Sequence, residues 1–205
     1  MTRGPIIAAA VVGAILIVGL VWGVPAFLSK KTESTPVSAA TGAPSPDTPH
    51  ITATLYYASS DGRYLVPVRH DVPLASGVVE QGRQILLTEL QAAPSPYIKV
   101  IPEGTTLRGF YVTDRGDAFV DLGPEIVRAH PGGSLNELLT VYALVNAVTA
   151  NLPAVQRVQI LVDGKEVDAI AGHVDIRRPL TRDASLVRER DANQDPKLKA
   201  KKPVQ

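Results

Sequence analysis

The chain has 205 residues, 45% of them hydrophobic, no cysteine, and 21 basic against 20 acidic side chains for a formal charge of +1. Basic residues scattered through a nearly neutral chain leave no electrostatic footprint for nucleic acid. Without cysteine there are no disulfides, thiol nucleophiles, zinc–thiolate sites or cysteine-linked lipid anchors.

An uncharged run from Gly4 to Ser29 lies between Arg3 and the Lys30-Lys31 pair. A helix rises about 1.5 Å per residue and a bilayer core is about 30 Å thick, so about 20 apolar residues cross it. Ile6 to Leu28 is long enough, and residues 1–29 are predicted to be a transmembrane signal anchor that enters the membrane through residues 5–28. A cleaved signal peptide is the alternative, with small residues at Val24-Pro25-Ala26, but its apolar region is usually shorter. The flanking positive charges nearly balance, so charge alone leaves the topology open. Residues 30–50, rich in Ser, Thr, Ala and Pro, read as a linker. A flexible coil of that length holds a domain about 25 Å from the membrane.

The folded body is expected from 51 to 180, about 130 residues and one ordinary domain. Ile51 to Tyr57 and Tyr64 to Arg69 read as strands joined at Asp61-Gly62, with Pro67 placing the second at an edge or an interruption in pairing. A helix capped by Ser76 carries Val78, Val79, Ile85, Leu86 and Leu90 on one face and ends before Pro94. A hairpin follows over Leu107–Val112 and Ala118–Leu122, turning at Asp114-Arg115-Gly116-Asp117. Ser134 and Glu137 have capping-box spacing at the start of a second helix, which runs to Asn151-Leu152-Pro153. Val158–Val162 reads as a buried strand, Asp163-Gly164 as a turn and Lys165–Val167 as the return. Each helix has an apolar face that a common sheet would cover, so the predicted fold is α/β (α+β), a two-layer sandwich of a mixed or antiparallel sheet with two helices. Hairpin connections this short rule out a wholly parallel sheet. Residues 181–205 are charged and unpatterned and read as a solvated, disordered tail, whose Lys197, Lys199, Lys201 and Lys202 could touch anionic lipid or wall polymer.

Signals for chemistry are sparse. His50, His70, His130 and His173 have no metal-type neighbour at helical or hairpin spacing, so no metal or other cofactor is implied. The chain lacks Gly-x-Ser-x-Gly, a phosphate loop and Gly-x-Gly-x-x-Gly. Asp117, Asp121, Asp163 and Asp168 stand at strand ends, where carboxylate pairs can do acid–base work, but turn chemistry explains Asp114 and Asp163 better. Arg115-Gly116-Asp117 spells an adhesion tripeptide inside a turn that needs Gly116. His130-Pro131-Gly132-Gly133 precedes a helix as an anion cradle would, but no Lys or Ser/Thr completes a phosphate loop, and a flexible helix entry is the simpler reading.

Leu55-Tyr56-Tyr57, Leu65-Val66-Pro67-Val68-Arg69, Ile101-Pro102-Glu103-Gly104-Thr105, Val120-Asp121-Leu122, Val145-Asn146-Ala147-Val148-Thr149, Val158 to Gly164 and Gly172-His173-Val174-Asp175 occur in a characteristic order. In that order the segment from about 51 to 180 resembles the GerMN domain of sporulation and spore germination proteins. The resemblance implies a noncatalytic, extracytoplasmic module similar to the ring-building modules of bacterial envelope machines. It also implies an amino terminus in the cytoplasm and a domain outside. The chain departs from the sporulation and germination lipoprotein that gives the family its name in having one copy and a membrane helix in place of a lipid anchor. Under the resemblance Pro102, Gly104 and Gly164 fit turns, while Leu55, Tyr57, Leu86, Val120, Leu139, Val145 and Ile160 fit the core. Helical phase nominates Arg83, Glu89 and Asn136 as exposed contacts for a partner.

The leading expectation is therefore a single-pass scaffold or assembly module at the cell membrane, with envelope proteins or its own copies as partners. A binding module for a wall fragment or other small ligand is the second expectation and requires a concave polar pocket. A hydrolase using Asp117 and Asp121 is the third.

Overall fold

The computed structural model describes residues 49–189. The predicted anchor at 1–29, nearly all of the linker and the lysine-rich end of the tail lie outside the described residues, among which no helix is long and apolar enough to cross a membrane. The described chain is a mixed α/β fold with two sheets and three helices.

Strands β1 (His50–Ala58) and β2 (Leu65–Pro73) pair antiparallel over their whole length, from His50 opposite Pro73 to Ala58 opposite Leu65. The turn closes where expected, with Gly62 in the left-handed region and the Ser59 N–H donating to the Tyr64 carbonyl at 2.9 Å. Pro67 sits on a strand with no sheet neighbour beyond it, as its missing N–H predicts. Helix α1 (Gly77–Glu89) buries Gly82, Ile85, Leu86 and Glu89. Ser76 forms no side-chain cap. Instead the Gln81 amide reaches back, accepting from the Ala75 N–H and donating to the Pro73 carbonyl.

Strands β3 (Leu107–Val112) and β4 (Asp117–Leu122) form the predicted hairpin. A short helix α2 (Glu125–Arg128) and the long α3 (Ser134–Asn151) carry the chain back, so β5 (Arg157–Val162) runs parallel to β4. A parallel pair requires such a crossover. Strand β6 (Lys165–Glu166) returns from the Asp163-Gly164 turn, and β7 (Leu180–Thr181) pairs with β5. The larger sheet is mixed, as expected. All seven residues assigned to the core by resemblance are at most 1% exposed, and Gly104 and Gly164 take positive φ.

Two expectations are corrected. The common sheet is two sheets, because the outer edge of β1 is occupied by Asn151, Glu89 and Ile98 and is closed to β3–β7. The chain also stays packed beyond 180. The backbone of Leu186 and Arg188 bonds Leu65 in a short parallel bridge, and buried Asn146 donates to the Asp183 carbonyl and accepts its N–H. The apolar pair Leu186-Val187 inside a charged segment supplies that contact, and both are part-buried. Helix α3 is central: its buried residues run almost continuously from Leu139 to Val148 and face β1, α1, β5 and β7. A helix apolar nearly all round belongs in a core.

Candidate functional site

Two glutamates that read as surface residues are interior. Helical phase brings Glu89 beneath β1, where it is 1% exposed and its carboxylate accepts the Tyr56 N–H at 3.2 Å. Burial pushes its carboxyl well above the usual range, against the pull of the Tyr56 N–H and the Lys99 charge. It is therefore not a surface contact, and the expectation for this residue is corrected. Of its two companions, Arg83 is part-exposed beside Glu80, and Asn136 is exposed but donates to the Gly132 carbonyl at 2.9 Å.

Glu137 does not close a capping box. Gly133 is the N-cap, so Ser134 is already inside the helix and Glu137 turns inward, fully buried. Its carboxylate accepts the backbone N–H groups of Ile170, Ala171 and His173, each at 2.8 Å, and faces His173 Nδ1 at 3.1 Å. Burial alone would raise this carboxyl, but those donors hold it below the usual range. It pins the 170–173 loop to α3. Nearby, His130 accepts the Gly132 N–H on Nδ1 and meets the Thr140 hydroxyl through Nε2, so the expected helix entry is held by its own side chains. Burial lowers the His130 pKa and His173 adds to this, while Glu137 opposes it.

The strand-end carboxylates are also engaged. Arg157 forks onto both oxygens of Asp117 at 2.7 and 3.1 Å, which fixes the Asp of the adhesion tripeptide within the hairpin. Asp121 accepts the Gly164 N–H and pairs with Arg108, which reaches Asp163 at 3.1 Å. Asp168 is on the 163–176 excursion, where its carbonyl accepts the Ile176 N–H. Asp117 and Asp121 thus stand at opposite ends of β4, each held by its own arginine. Among the described residues no three His, Asp or Glu side chains converge as a metal site.

Sequence reading missed a polar cleft of about 520 Å³ between the β1–β2 face and the 182–189 segment. Thr54, Tyr56, Pro67 and Arg69 form one wall, and Ala150, Arg182, Val187 and Glu189 the other. Arg182 donates to the buried Tyr56 hydroxyl at 3.1 Å, while the Arg69 guanidinium has no ion pair among the described residues. Most of its second wall comes from the segment expected to be disordered, which hid it from the sequence.

A family model described as "Germane: Sporulation and spore germination" matches residues 54–168, a span from β1 to just beyond β6 that includes α1 and α3. No curated protein matches the chain. Among solved structures, the tandem GerMN domains of the sporulation protein GerM from Bacillus subtilis align at 17% identity and a TM-score of 0.52, covering 65% of this chain and 46% of that one. The chain therefore spans less than half of the tandem protein. The first GerMN domain of the same protein aligns at 19% identity and a TM-score of 0.49, covering 64% of this chain and 98% of that one.

Proposed function

Because the chain belongs to the Germane family of sporulation and spore germination domains, we propose that it is a membrane-anchored, noncatalytic, extracytoplasmic module that assembles a bacterial cell-envelope complex. The family match across the folded body carries this reading. The apolar run before the linker supports the anchor, and a ring-building type of fold is the finer architecture this reading implies. Arg83 and Asn136 are the helix positions offered to a partner protein. The test is a crosslinking pulldown of the full-length protein from native membranes, with a tail variant carrying Glu for Lys at 197, 199, 201 and 202 to control for charge-driven sticking. A discrete partner set that disappears when the folded domain is deleted supports assembly. Recovery of lipid neighbours alone, or nothing, overturns it.

The second reading, a binding module for a wall fragment, is favoured by the polar cleft, whose volume falls within the range of ligand sites. Ligand that binds the folded state raises its unfolding temperature. Muropeptides should therefore raise the Tm of the purified protein, and less so after Arg182→Ala. An unchanged Tm at saturating muropeptide removes this reading.

A further inference from the structure

The two edges of the β1–β2 sheet are treated differently. On β1 the Thr54 N–H and C=O are both taken by the Asn151 amide, at 2.8 and 2.7 Å. Glu89 takes the Tyr56 N–H, and Ile98 takes the Ala58 N–H and C=O at 2.9 and 3.0 Å. The corresponding outward groups on β2 belong to Leu65, Pro67, Arg69, Asp71 and Pro73, which stand opposite Ala58, Tyr56, Thr54, Thr52 and His50. Leu65 is satisfied by Leu186 and Arg188, the prolines have no N–H, and Gln81 covers the Pro73 carbonyl. That leaves, besides the Pro67 carbonyl, Arg69 and Asp71. Both are exposed, and among the described residues neither their backbone groups nor their side chains have a partner. A sheet whose one edge is occupied from Thr54 to Ala58 and whose other edge is open at Arg69 and Asp71 can accept one more strand there.

We propose that this edge pairs with the same edge of a second copy of the chain, β2 running antiparallel to β2 about a two-fold axis at His70. The inference rests on the assembly reading above and supplies one partner for it. Charge selects both the occupant and the register. With the axis at residue 70, Arg69 lies opposite Asp71 of the second copy and Asp71 opposite its Arg69, giving two cross-strand ion pairs and four main-chain hydrogen bonds. Pro67 then faces Pro73, so the two missing donors meet and no N–H is stranded. Sliding the axis to 69 sets arginine against arginine, and sliding it to 71 sets aspartate against aspartate. An isologous contact of this kind closes as a dimer. Its few bonds make it weak for free chains, and tethering copies in one membrane raises their effective concentration.

The absence of cysteine makes a clean test possible. In antiparallel pairing about His70, that residue faces its own copy at a non-hydrogen-bonded position with Cα atoms about 4.5 Å apart, within disulfide range. His70→Cys in the full-length protein in membranes should give a disulfide dimer under mild oxidation, and Tyr111→Cys, on an exposed residue of the other sheet, should not. His70 packs edge-on against Tyr57, so a second measurement leaves it untouched. Arg69→Asp and Asp71→Arg should each weaken self-association about tenfold in sedimentation of the otherwise native full chain, and the exchanged double variant should restore it. A His70→Cys dimer no stronger than that of Tyr111→Cys, or a double variant as weak as the singles, overturns the inference. Loss of this dimer with the pulldown partners intact would sink the self-pairing alone and leave the assembly reading standing.

Discussion

Glu137 and Glu89 have the same side chain and opposite electrostatics, because their donors differ in number. Three backbone N–H groups keep Glu137 ionised, whereas Glu89 has the single Tyr56 N–H against complete burial. A carboxyl whose folded pKa is depressed contributes stability that is full above the ordinary carboxylate range and is lost as pH falls through the folded value. Glu137→Ala should therefore cost about 3 kcal/mol at neutral pH, roughly one for each stranded donor. The gap to the native protein should narrow in acid, as urea unfolding at the two pH values would show. For Glu89 the sign reverses. Its raised pKa gives a contribution present below the ordinary carboxylate range and lost as pH rises through the folded value. Glu89→Gln, uncharged at any pH, should flatten the decline of stability toward alkaline pH, and a decline as steep as the native one would contradict that account. Neither burial was legible in the sequence, since both residues satisfy surface rules: Glu137 at capping-box spacing, Glu89 near a helix end.

At the scale of elements, periodicity located the long helices and the main strands, because each buries a face that its own residues define. Pairing was harder to read. Nothing local in β1 says that Asn151, almost a hundred positions away, will occupy its edge and split the expected sheet in two. A close approach between elements is also hidden in a residue that reads as a weakness. Gly82 lies within α1, where glycine costs about 1 kcal/mol relative to alanine. A Cβ there would overlap the ring of buried Phe110 on β3. Overpacking a core costs about 1–3 kcal/mol, so the clash should outweigh the gain in helix propensity. Gly82→Ala is expected to lower the Tm, and Gly82→Ala with Phe110→Leu to recover part of the loss. A stabilised Gly82→Ala would mean that the α1–β3 contact yields more readily than its geometry indicates.

On the scale of the molecule, the segment beyond 180 joins parts that are far apart in sequence. It pairs with Leu65 near the start of β2, supplies the partner for Asn146 in the middle of α3, and forms one wall of the cleft. Composition concealed this, because Arg182, Asp183, Arg188 and Glu189 make the segment look solvated while Leu186 and Val187 supply its large apolar side chains. Truncation separates the two readings of the boundary. Ending the chain after Thr181 leaves the buried Asn146 amide without either Asp183 bond, frees the Leu65 backbone groups and uncovers Tyr56 and Leu65. Several stranded polar groups and a newly exposed apolar face together should cost about 3–5 kcal/mol. Ending it after Glu189 removes none of these contacts, so thermal unfolding should leave that form close to the full chain and place the shorter one well below it. Equal stability of the two truncated forms would show that the domain closes at 180 and that the cleft's second wall adds nothing to the fold.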